Sequence, residues 1–279
     1  MSAGGKGAGA VLGVGALLGL VLATGSAPRL PRSAPAGAAP AAPGARAASA
    51  APAMPTARGR PRPAAGAARA APAVDPQGMR GLGAADRVLE ISTWGRRSTT
   101  ATARTYVRVG EGWRVLRSAM PAYVGANGLS LPERRVAGDS TTPIGVYGFV
   151  FGFGSRPDPG VHGLGWRRLA PTSCWSGRRS DYNRWVERSP CASADESLWP
   201  SRRVAYRYAA VIDFNYARPV YGRGSGIFLH EQIGKPTHGC VSLDQGDLLA
   251  VLRWITPSTR IVIGPYAWLR SLRSGGPRA

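Results

Sequence analysis

One short stretch near the C-terminus contains the residues best suited to chemistry. It holds His230 and, ten residues later, Cys240, which directly follows His238 and Gly239. The whole chain has only three histidines and three cysteines, so this concentration is unusual. A cysteine is nucleophilic as a thiolate, and a neighbouring imidazole commonly takes its proton. We therefore expect Cys240 to be a nucleophile that His230 ionises at the mouth of a groove.

The backbone around Gly239 is suited to stabilising an oxyanion. Glycine has no Cβ and lets the chain turn tightly beside the sulfur. In such a turn the N–H groups of Gly239 and Cys240 can face the oxygen of a tetrahedral intermediate. We expect His238, two positions before the sulfur, to hold the loop or to position the substrate. The pattern predicts acyl transfer through a cysteine.

These residues resemble the signature of a known family. His230, the run Thr237-His238-Gly239-Cys240, then Leu243 and Asp247, is similar to the motif of the L,D-transpeptidase catalytic domain (YkuD) family. The run from Thr142 to Tyr147 resembles the strand entry that lies upstream in that family. The likeness covers roughly residues 88–264.

The resemblance implies both a reaction and a set of roles. Cys240 would attack the third residue of a peptidoglycan stem tetrapeptide and expel the terminal D-Ala. The thioester would then pass to an amine of a second stem, giving a 3→3 crosslink, and carbapenems would acylate the same sulfur. His230 would be the base and His238 its support. Substrate contacts are expected from Thr237, Ser242 and Tyr147.

Two departures from the family pattern leave other functions open. The spacing from His230 to Cys240 is shorter than usual, which suggests a trimmed lid, and Ser242 stands where Arg or Asn is common. One alternative is an L,D-carboxypeptidase or amidase on the same fold, with water replacing the amine. The other is a non-enzymatic protein that binds the cell wall.

No metal or cofactor is expected. His162 could join His230 and His238 around a metal ion, but no further ligand stands at a recognisable zinc spacing. Thiolate chemistry also needs no metal. We expect His162 to be a loop residue near the cleft.

The charge of the chain bounds its partners. The formal net charge is +21, and arginine carries almost all of it. Anionic wall polymers are possible partners, although GC-rich coding alone would also give this arginine excess. No aromatic RNA-binding motif or helical basic stripe is present, so we expect no nucleic acid.

The composition divides the chain into four parts. Residues 1–27 have an apolar core of about 16 residues followed by small residues, which predicts an export signal, with an uncleaved membrane anchor as the alternative. Residues 28–84 are rich in Ala, Pro and Arg and are expected to be a disordered tether. Residues 85–266 are the expected catalytic domain, and 267–279 a tail. The expected location is the cell wall, outside the cytoplasm.

Export changes the reading of the cysteines. Outside the cytoplasm cysteines tend to pair, and three leave one unpaired. Cys174 and Cys191 lie 17 residues apart in a polar, Trp-rich insertion that spans residues 156–201. We predict a disulfide between them and a free thiol at Cys240, the alternative being three reduced cysteines.

The remaining pattern predicts a mainly β domain, a sandwich or barrel of the L,D-transpeptidase type. Short apolar runs separated by Gly and Pro predict strands. One helix is expected after Cys240, from an N-cap at Asp244 to about Trp254, because Leu248, Val251 and Leu252 repeat at helical spacing. The predicted strands cover residues 88–94, 103–109, 113–120, 144–151, 227–230 and 260–264, with one or two more within 204–215.

Overall fold

The computed structural model describes residues 70–273. The predicted export signal, and the part of the predicted tether that precedes residue 70, lie outside the described residues. Neither helix within the described range is long and apolar enough to cross a membrane.

The described residues are mainly β, as predicted, with two short helices. The helices are α1 (Gln245–Trp254) and α2 (Tyr266–Ser271). The strands are β1 (Arg87–Thr93), β2 (Thr100–Val109), β3 (Gly112–Tyr123), β4 (Leu129–Ser130), β5 (Thr142–Pro143), β6 (Gly145–Tyr147), β7 (Phe149–Gly154), β8 (Trp166–Arg168), β9 (Ser173–Trp175), β10 (Trp185–Glu187), β11 (Glu196–Ser197), β12 (Ala209–Ile212), β13 (Phe228–Glu231), β14 (Val241–Leu243) and β15 (Thr259–Pro265).

Ten of the strands form one sheet in the order β6-β15-β1-β2-β3-β14-β13-β12-β7-β8. Its centre is the parallel pair β13 and β14, which flanks the predicted chemistry. Strand β14 also pairs antiparallel with β3, and β13 with β12. Both strands of the central pair are therefore held on each side, so the residues at their ends are placed by a rigid element.

Alternation along the central strands sends side chains to two different cores. Leu229 and Val241 join the core that contains helix α1, in which Leu248 is fully buried. Phe228 and Cys240 join a second core on the opposite face. This period of two is what separates the packing residues from the residues available for chemistry.

Helix α1 begins where the sequence predicted, but its N-cap does not work as expected. Asp244 occupies the N-cap position and makes no side-chain capping hydrogen bond. Its carboxylate instead accepts a hydrogen bond from Gln232 on the loop after β13. Asp247, in the first turn, accepts a hydrogen bond from Arg117 on β3 at 3.1 Å. Both acids therefore tie the helix to the neighbouring segments.

The Trp-rich insertion has a sheet of its own. Strands β10, β9 and β11 pair in that order. The predicted disulfide between Cys174 and Cys191 is present, with Cα atoms 5.8 Å apart. Cys174 lies on β9, directly opposite Ser197 of β11. The disulfide therefore fixes the strand pair at the end of the insertion that faces the second core.

Two domain boundaries differ from the prediction. Val74, Met79 and Leu82, expected in the tether, are buried against strands β1, β2 and β15. In the expected tail, Leu269 of helix α2 is fully buried in the same cluster. These apolar residues are dispersed among Ala, Pro and Gly and therefore give no periodic signal in the sequence. Tertiary contacts order them in the folded protein.

Candidate active site

Strands β13 and β14 bring two of the predicted catalytic side chains to one face. His230 is opposite Ser242 in the parallel register. Cys240 stands just before β14, and the Phe228 N–H donates a hydrogen bond to its Sγ at 3.3 Å. Phe228 and His230 point to the same side of their strand. The sulfur and the imidazole therefore occupy neighbouring diagonal positions on the face away from helix α1.

Both side chains line a cavity of about 540 Å³. One wall comes from the insertion and the segment that follows it, and the other from the loop between His230 and Cys240. The lining residues are Glu196, Ser201, Ala205, Tyr206, Ser225, Gly226, His230, Ile233, Lys235, Pro236, Thr237, His238 and Cys240.

His230 is held as a neutral base. Its Nδ1 donates a hydrogen bond to the backbone oxygen of Glu231 at 2.8 Å, and this leaves Nε2 as the unprotonated nitrogen. The side chain is 7% exposed, and this burial lowers the pKa of His230 to about 4. The ring also stands edge-on to the ring of Tyr206, with centroids 5.7 Å apart.

Cys240 is held as a neutral thiol, contrary to the expectation of a thiolate at an open groove. Burial raises the pKa of Cys240 to about 12, and the charge of Glu196 acts in the same direction. The Phe228 N–H and the charge of Arg135 oppose this rise. The thiol donates a hydrogen bond to the Gly226 oxygen at 3.3 Å. The sulfur is unbridged and lines the cavity, and its burial favours the protonated form.

The turn before Cys240 requires glycine. Gly239 has φ +131°, and a Cβ at this position would lie 2.9 Å from the Thr141 oxygen. Thr237 Oγ1 accepts the Gly239 N–H at 3.1 Å and donates to the Cys240 oxygen at 2.6 Å. The Gly239 N–H is therefore already bonded inside the turn. An oxyanion hole that uses this group, as the sequence predicted, is not formed in this conformation.

The other predicted site residues divide into two groups. Thr237 and the exposed His238 line the cavity. Ser242 does not, because it is 1% exposed at the centre of the sheet, paired with both His230 and Tyr123. Its Oγ finds no hydrogen-bond partner among residues 70–273. The predicted contact between Ser242 and a substrate is thus not made in this cavity.

Tyr147 is also absent from the cavity. It lies on β6, the edge strand that pairs with β15 at the far end of the sheet. Its hydroxyl donates to the Ile144 oxygen at 2.8 Å, and its ring packs edge-on against Phe214. Tyr147 therefore does not line this cavity, and its side chain packs against the core. His162 is exposed and likewise does not line the cavity.

Sequence reasoning missed a polar pair that the insertion brings to the cavity. Glu196 lies on β11, and Tyr206 follows a short 3₁₀ helix. The Tyr206 hydroxyl donates to Glu196 Oε1 at 2.7 Å. Desolvation in the cavity wall raises the pKa of Glu196. Neither residue belongs to a motif, and their distance from Cys240 in the chain gives no signal.

A buried asparagine joins the insertion to the strand that carries His230. Asn183 Oδ1 accepts hydrogen bonds from Trp175 Nε1 at 2.8 Å and from the Gly226 N–H at 2.9 Å. Its Nδ2 donates to the Phe214 oxygen at 3.1 Å. The insertion is thereby fixed to Gly226, the residue whose backbone oxygen accepts a hydrogen bond from the Cys240 thiol.

A buried arginine lies behind the turn. Arg135 is 2% exposed and donates a hydrogen bond to Asp139 at 3.0 Å. Its Nε and Nη1 have no hydrogen-bond partner among the described residues. A Cβ added to Gly239 would lie 3.5 Å from Arg135 Nη2. A positive charge thus lies next to the backbone that carries the cysteine, and it acts to lower the pKa of Cys240.

The site contains the parts of cysteine acyl transfer and offers no cluster of metal ligands. Within residues 70–273, no three His, Cys, Asp or Glu side chains are grouped to hold a metal ion. The site does hold a sulfur, a neutral imidazole with a free Nε2 and an adjacent positive charge. With these groups the sulfur can attack a carbonyl carbon and hold the acyl group as a thioester.

Comparison with known proteins gives one family and several solved structures. The family model described as the L,D-transpeptidase catalytic domain (YkuD) matches residues 96–263, more than half of the chain. No curated protein gives a significant match. Five chains among the solved structures match.

Three of these structures illustrate the similarity. L,D-transpeptidase 1 of Mycobacterium tuberculosis is 18% identical over 64% of this chain, with a TM-score of 0.29. The helical cell shape determining protein Pgp2 of Campylobacter jejuni is 15% identical over 64%, with a TM-score of 0.34. An L,D-transpeptidase of Mycobacterium smegmatis is 14% identical over 64%, with a TM-score of 0.28. The matches span 62%, 48% and 59% of those three chains.

Proposed function

This chain belongs to the L,D-transpeptidase catalytic domain (YkuD) family, and from that premise we propose that it is an exported peptidoglycan L,D-transpeptidase. Its donor substrate is a stem tetrapeptide, and its product is a 3→3 crosslink. The proposed nucleophile is Cys240 and the proposed base is His230. The observation that carries the proposal is that Cys240 and His230, whose Nδ1 is bonded to a backbone oxygen, line one cavity.

The first half-reaction forms a thioester. His230 Nε2 takes the thiol proton while Cys240 Sγ attacks the carbonyl carbon of the third stem residue. The tetrahedral intermediate then breaks its carbon–nitrogen bond, and the imidazolium gives its proton to the departing D-Ala amine. With pKa values of about 12 and about 4, full proton transfer before attack is strongly uphill. We infer that the proton leaves the sulfur as the carbon–sulfur bond forms.

The second half-reaction transfers the acyl group. The uncharged acceptor amine attacks the thioester and passes one proton to His230. The carbon–sulfur bond breaks, and the imidazolium returns that proton to the sulfur. The Cys240 N–H and a Gly239 N–H released from Thr237 would donate to the oxyanion in both halves. Thr237 supports the turn that presents these groups, and His238, which lines the cavity, is the proposed supporting histidine.

Product analysis tests this proposal. The protein is incubated with a stem tetrapeptide, with and without an acceptor stem, and followed by intact mass spectrometry and chromatography. We expect a covalent adduct on Cys240, release of D-Ala and a crosslinked dimer when the acceptor is present. Cys240→Ser should form no adduct. Wild-type protein that keeps its fold yet takes up no acyl group would refute the proposal.

Hydrolysis on the same site is the second candidate function. The observation that favours it is that Ile233 and Lys235, which line the cavity from the loop between His230 and Cys240, are exposed to solvent. Water reaching the thioester there would give an L,D-carboxypeptidase. In the same assay this function would release D-Ala and a tripeptide at equal rates with and without the acceptor.

The location proposed for this function is the cell wall. Two observations support it, namely a disulfide, which persists in oxidising compartments, and the export signal predicted at residues 1–27. Anionic wall polymers are the proposed additional partner of the basic chain. Mass spectrometry of the exported protein would report its mature N-terminus.

A further inference from the structure

The cavity contains a carboxylate that the acyl-transfer scheme does not use. Glu196 is an exposed residue of β11 in the insertion, and its side chain lines the cavity together with residues of the loop between His230 and Cys240. Its Oε1 accepts the Tyr206 hydroxyl at 2.7 Å. Within residues 70–273, Oε2 accepts no hydrogen bond and Glu196 forms no ion pair within 4 Å, although the charge of His238, in the same cavity, acts to lower the pKa of this carboxyl. One carboxylate oxygen is thus fixed and the other is open.

The open oxygen lies next to the nucleophile. The backbone oxygen of Gly226 accepts a hydrogen bond from the Cys240 thiol at 3.3 Å. A Cβ added to the same Gly226 would lie 3.5 Å from Glu196 Oε2. Sulfur and carboxylate are therefore both neighbours of Gly226, and all three residues line the same cavity.

The fold holds this carboxylate rigidly. Glu196 is paired with Trp175 across β11 and β9, and the next position along β9 is Cys174 of the disulfide. The preceding residue, Asp195, has a fully buried side chain that accepts a hydrogen bond from Arg188 at 2.7 Å. Tyr206 is buried, and its ring stands edge-on to the ring of His230. A side chain fixed on both sides is pre-organised to bind a ligand.

A carboxylate at this position opposes the first step of the reaction. A nearby negative charge disfavours the thiolate that attacks the donor carbonyl. A positive charge brought by the substrate would offset the effect of this carboxylate on the thiolate. A charge-assisted hydrogen bond between an ammonium and a carboxylate is strong in a partly desolvated cavity.

We propose that Glu196, anchored by Tyr206, is an ammonium-binding subsite that positions an amine-bearing side chain of the stem peptide beside Cys240. This inference rests on the proposed transpeptidase function and assigns a specificity-determining residue to it. The amine could belong to the donor stem or to the acceptor stem, and the experiment separates these two sources.

The experiment compares Glu196→Gln with the wild-type full chain on matched substrates. The donor is a stem tetrapeptide with a free side-chain amine, and its control is the same peptide with that amine acetylated. The acceptor is a stem tripeptide with a free amine. Iodoacetamide, an uncharged reagent, reports the intrinsic reactivity of the thiol. Glu111→Gln removes an exposed carboxylate at a remote turn and serves as the matched control.

The expected result is a loss confined to amine-bearing substrates. Glu196→Gln should raise the KM for the free-amine substrate roughly tenfold, the size of one charge-assisted hydrogen bond. The acetylated donor should react at the wild-type KM, and iodoacetamide should react at least as fast as in wild type. Glu196→Asp should give a smaller effect, because it keeps the charge. A rise in the donor KM identifies the donor amine, and a rise in the acceptor KM alone identifies the acceptor amine.

Two results would overturn the inference, and a third would overturn the proposed function as well. If Glu196→Gln reacts with free-amine donor and acceptor as wild type does, no ammonium binds there. If the acetylated donor loses as much as the free-amine donor, the carboxylate has another role. Wild-type protein that forms no acyl-enzyme would remove the proposed function itself, and with it this subsite.

Discussion

The protonation states of two side chains determine how the site must work. Cys240 has a pKa of about 12 and His230 a pKa of about 4, in both cases chiefly because of burial. A thiolate–imidazolium pair would need the opposite order. The resting site is therefore a neutral pair, in which a substrate carbonyl must be present before the proton moves.

We predict that alkylation of Cys240 by iodoacetamide is slow at neutral pH. Because the thiolate is the reactive form, the rate should rise about tenfold for each pH unit between 7 and 10. The measurement is the rate of adduct formation by mass spectrometry, with Cys240→Ser as the unlabelled control. A rate that is high and constant from pH 6 to 9 would instead indicate a preformed ion pair.

We predict that the buried charge of Arg135 promotes ionisation of the thiol. Its guanidinium lies against Gly239 and lowers the pKa of Cys240. Arg135→Gln should therefore slow alkylation at pH 8, by about two- to threefold, because the charge of Arg135 is the smallest of the influences on the pKa of Cys240. Arg134→Gln removes the exposed neighbouring charge and should leave the rate unchanged. Equal rates in both variants, with the thermal transition retained, would show that Arg135 has no electrostatic role.

We predict an acid-sensitive contribution of His230 to stability. Its folded-state pKa of about 4 lies below the ordinary value of 6.5, so the unfolded chain binds more protons between these two values. The free energy of unfolding contributed by this group is fully present at pH 7 and is lost as the pH falls from 6.5 to 4. The loss is about 3 kcal/mol. Urea unfolding of wild type and His230→Gln should converge over this window, whereas parallel curves would contradict the assignment.

The N-terminal segment of the folded unit is held by a buried ion pair. Glu90 on β1 is fully buried and accepts hydrogen bonds from Tyr106 at 2.7 Å and from the Val74 N–H at 3.3 Å. Arg104 contacts the same carboxylate at 3.4 Å and donates a hydrogen bond to the Ala71 oxygen. Desolvation raises the pKa of Glu90. Residues 71–74 thus complete the solvation of a charge pair inside the protein.

We predict that removing this segment destabilises the domain. A chain that begins at residue 85, the boundary that composition suggested, leaves Arg104 and Glu90 short of hydrogen-bond partners and exposes the apolar residues around Val74. The expected loss is about 3 kcal/mol or more relative to a chain that begins at residue 70. Urea unfolding of the two chains measures it. Equal midpoints would mean that the segment contributes no stability.

The sequence predicted those elements whose signals are local. Strands with alternating or continuous apolar runs and helix α1 were recognised, because their periods are visible in the chain. The disulfide was recognised from cysteine spacing and expected export. The wall formed by Glu196 and Tyr206 was not, since only the pairing of β9 with β11 carries Glu196 to the cavity. Tyr147 shows the converse, because a motif residue turned out to be a packing residue.

The charge of the whole molecule is divided unequally along the chain. The formal net charge is +21, and eight basic residues but no acidic residue precede residue 70. The chain from residue 70 onward therefore carries +13 (21 − 8). A strongly basic chain is attracted to polyanions, and salt screens this attraction over about 10 Å at 0.1 M. The N-terminal part thus supplies eight of the positive charges, and the described residues that line the cavity all belong to the chain from residue 70 onward.

We predict that residues 1–69 strengthen binding to the wall without changing the chemistry. The full chain should sediment with purified anionic cell-wall material at low salt and should need more salt for release than the chain from residue 70. Both chains should be acylated by a stem tetrapeptide at the same rate, because the shorter one contains every described residue that lines the cavity. Replacing the basic residues before residue 70 by glutamine is the matched control for length and should reproduce the shorter chain's release. Identical release of all three would assign retention to the folded domain, whose arginines would then be the groups that meet the polymer.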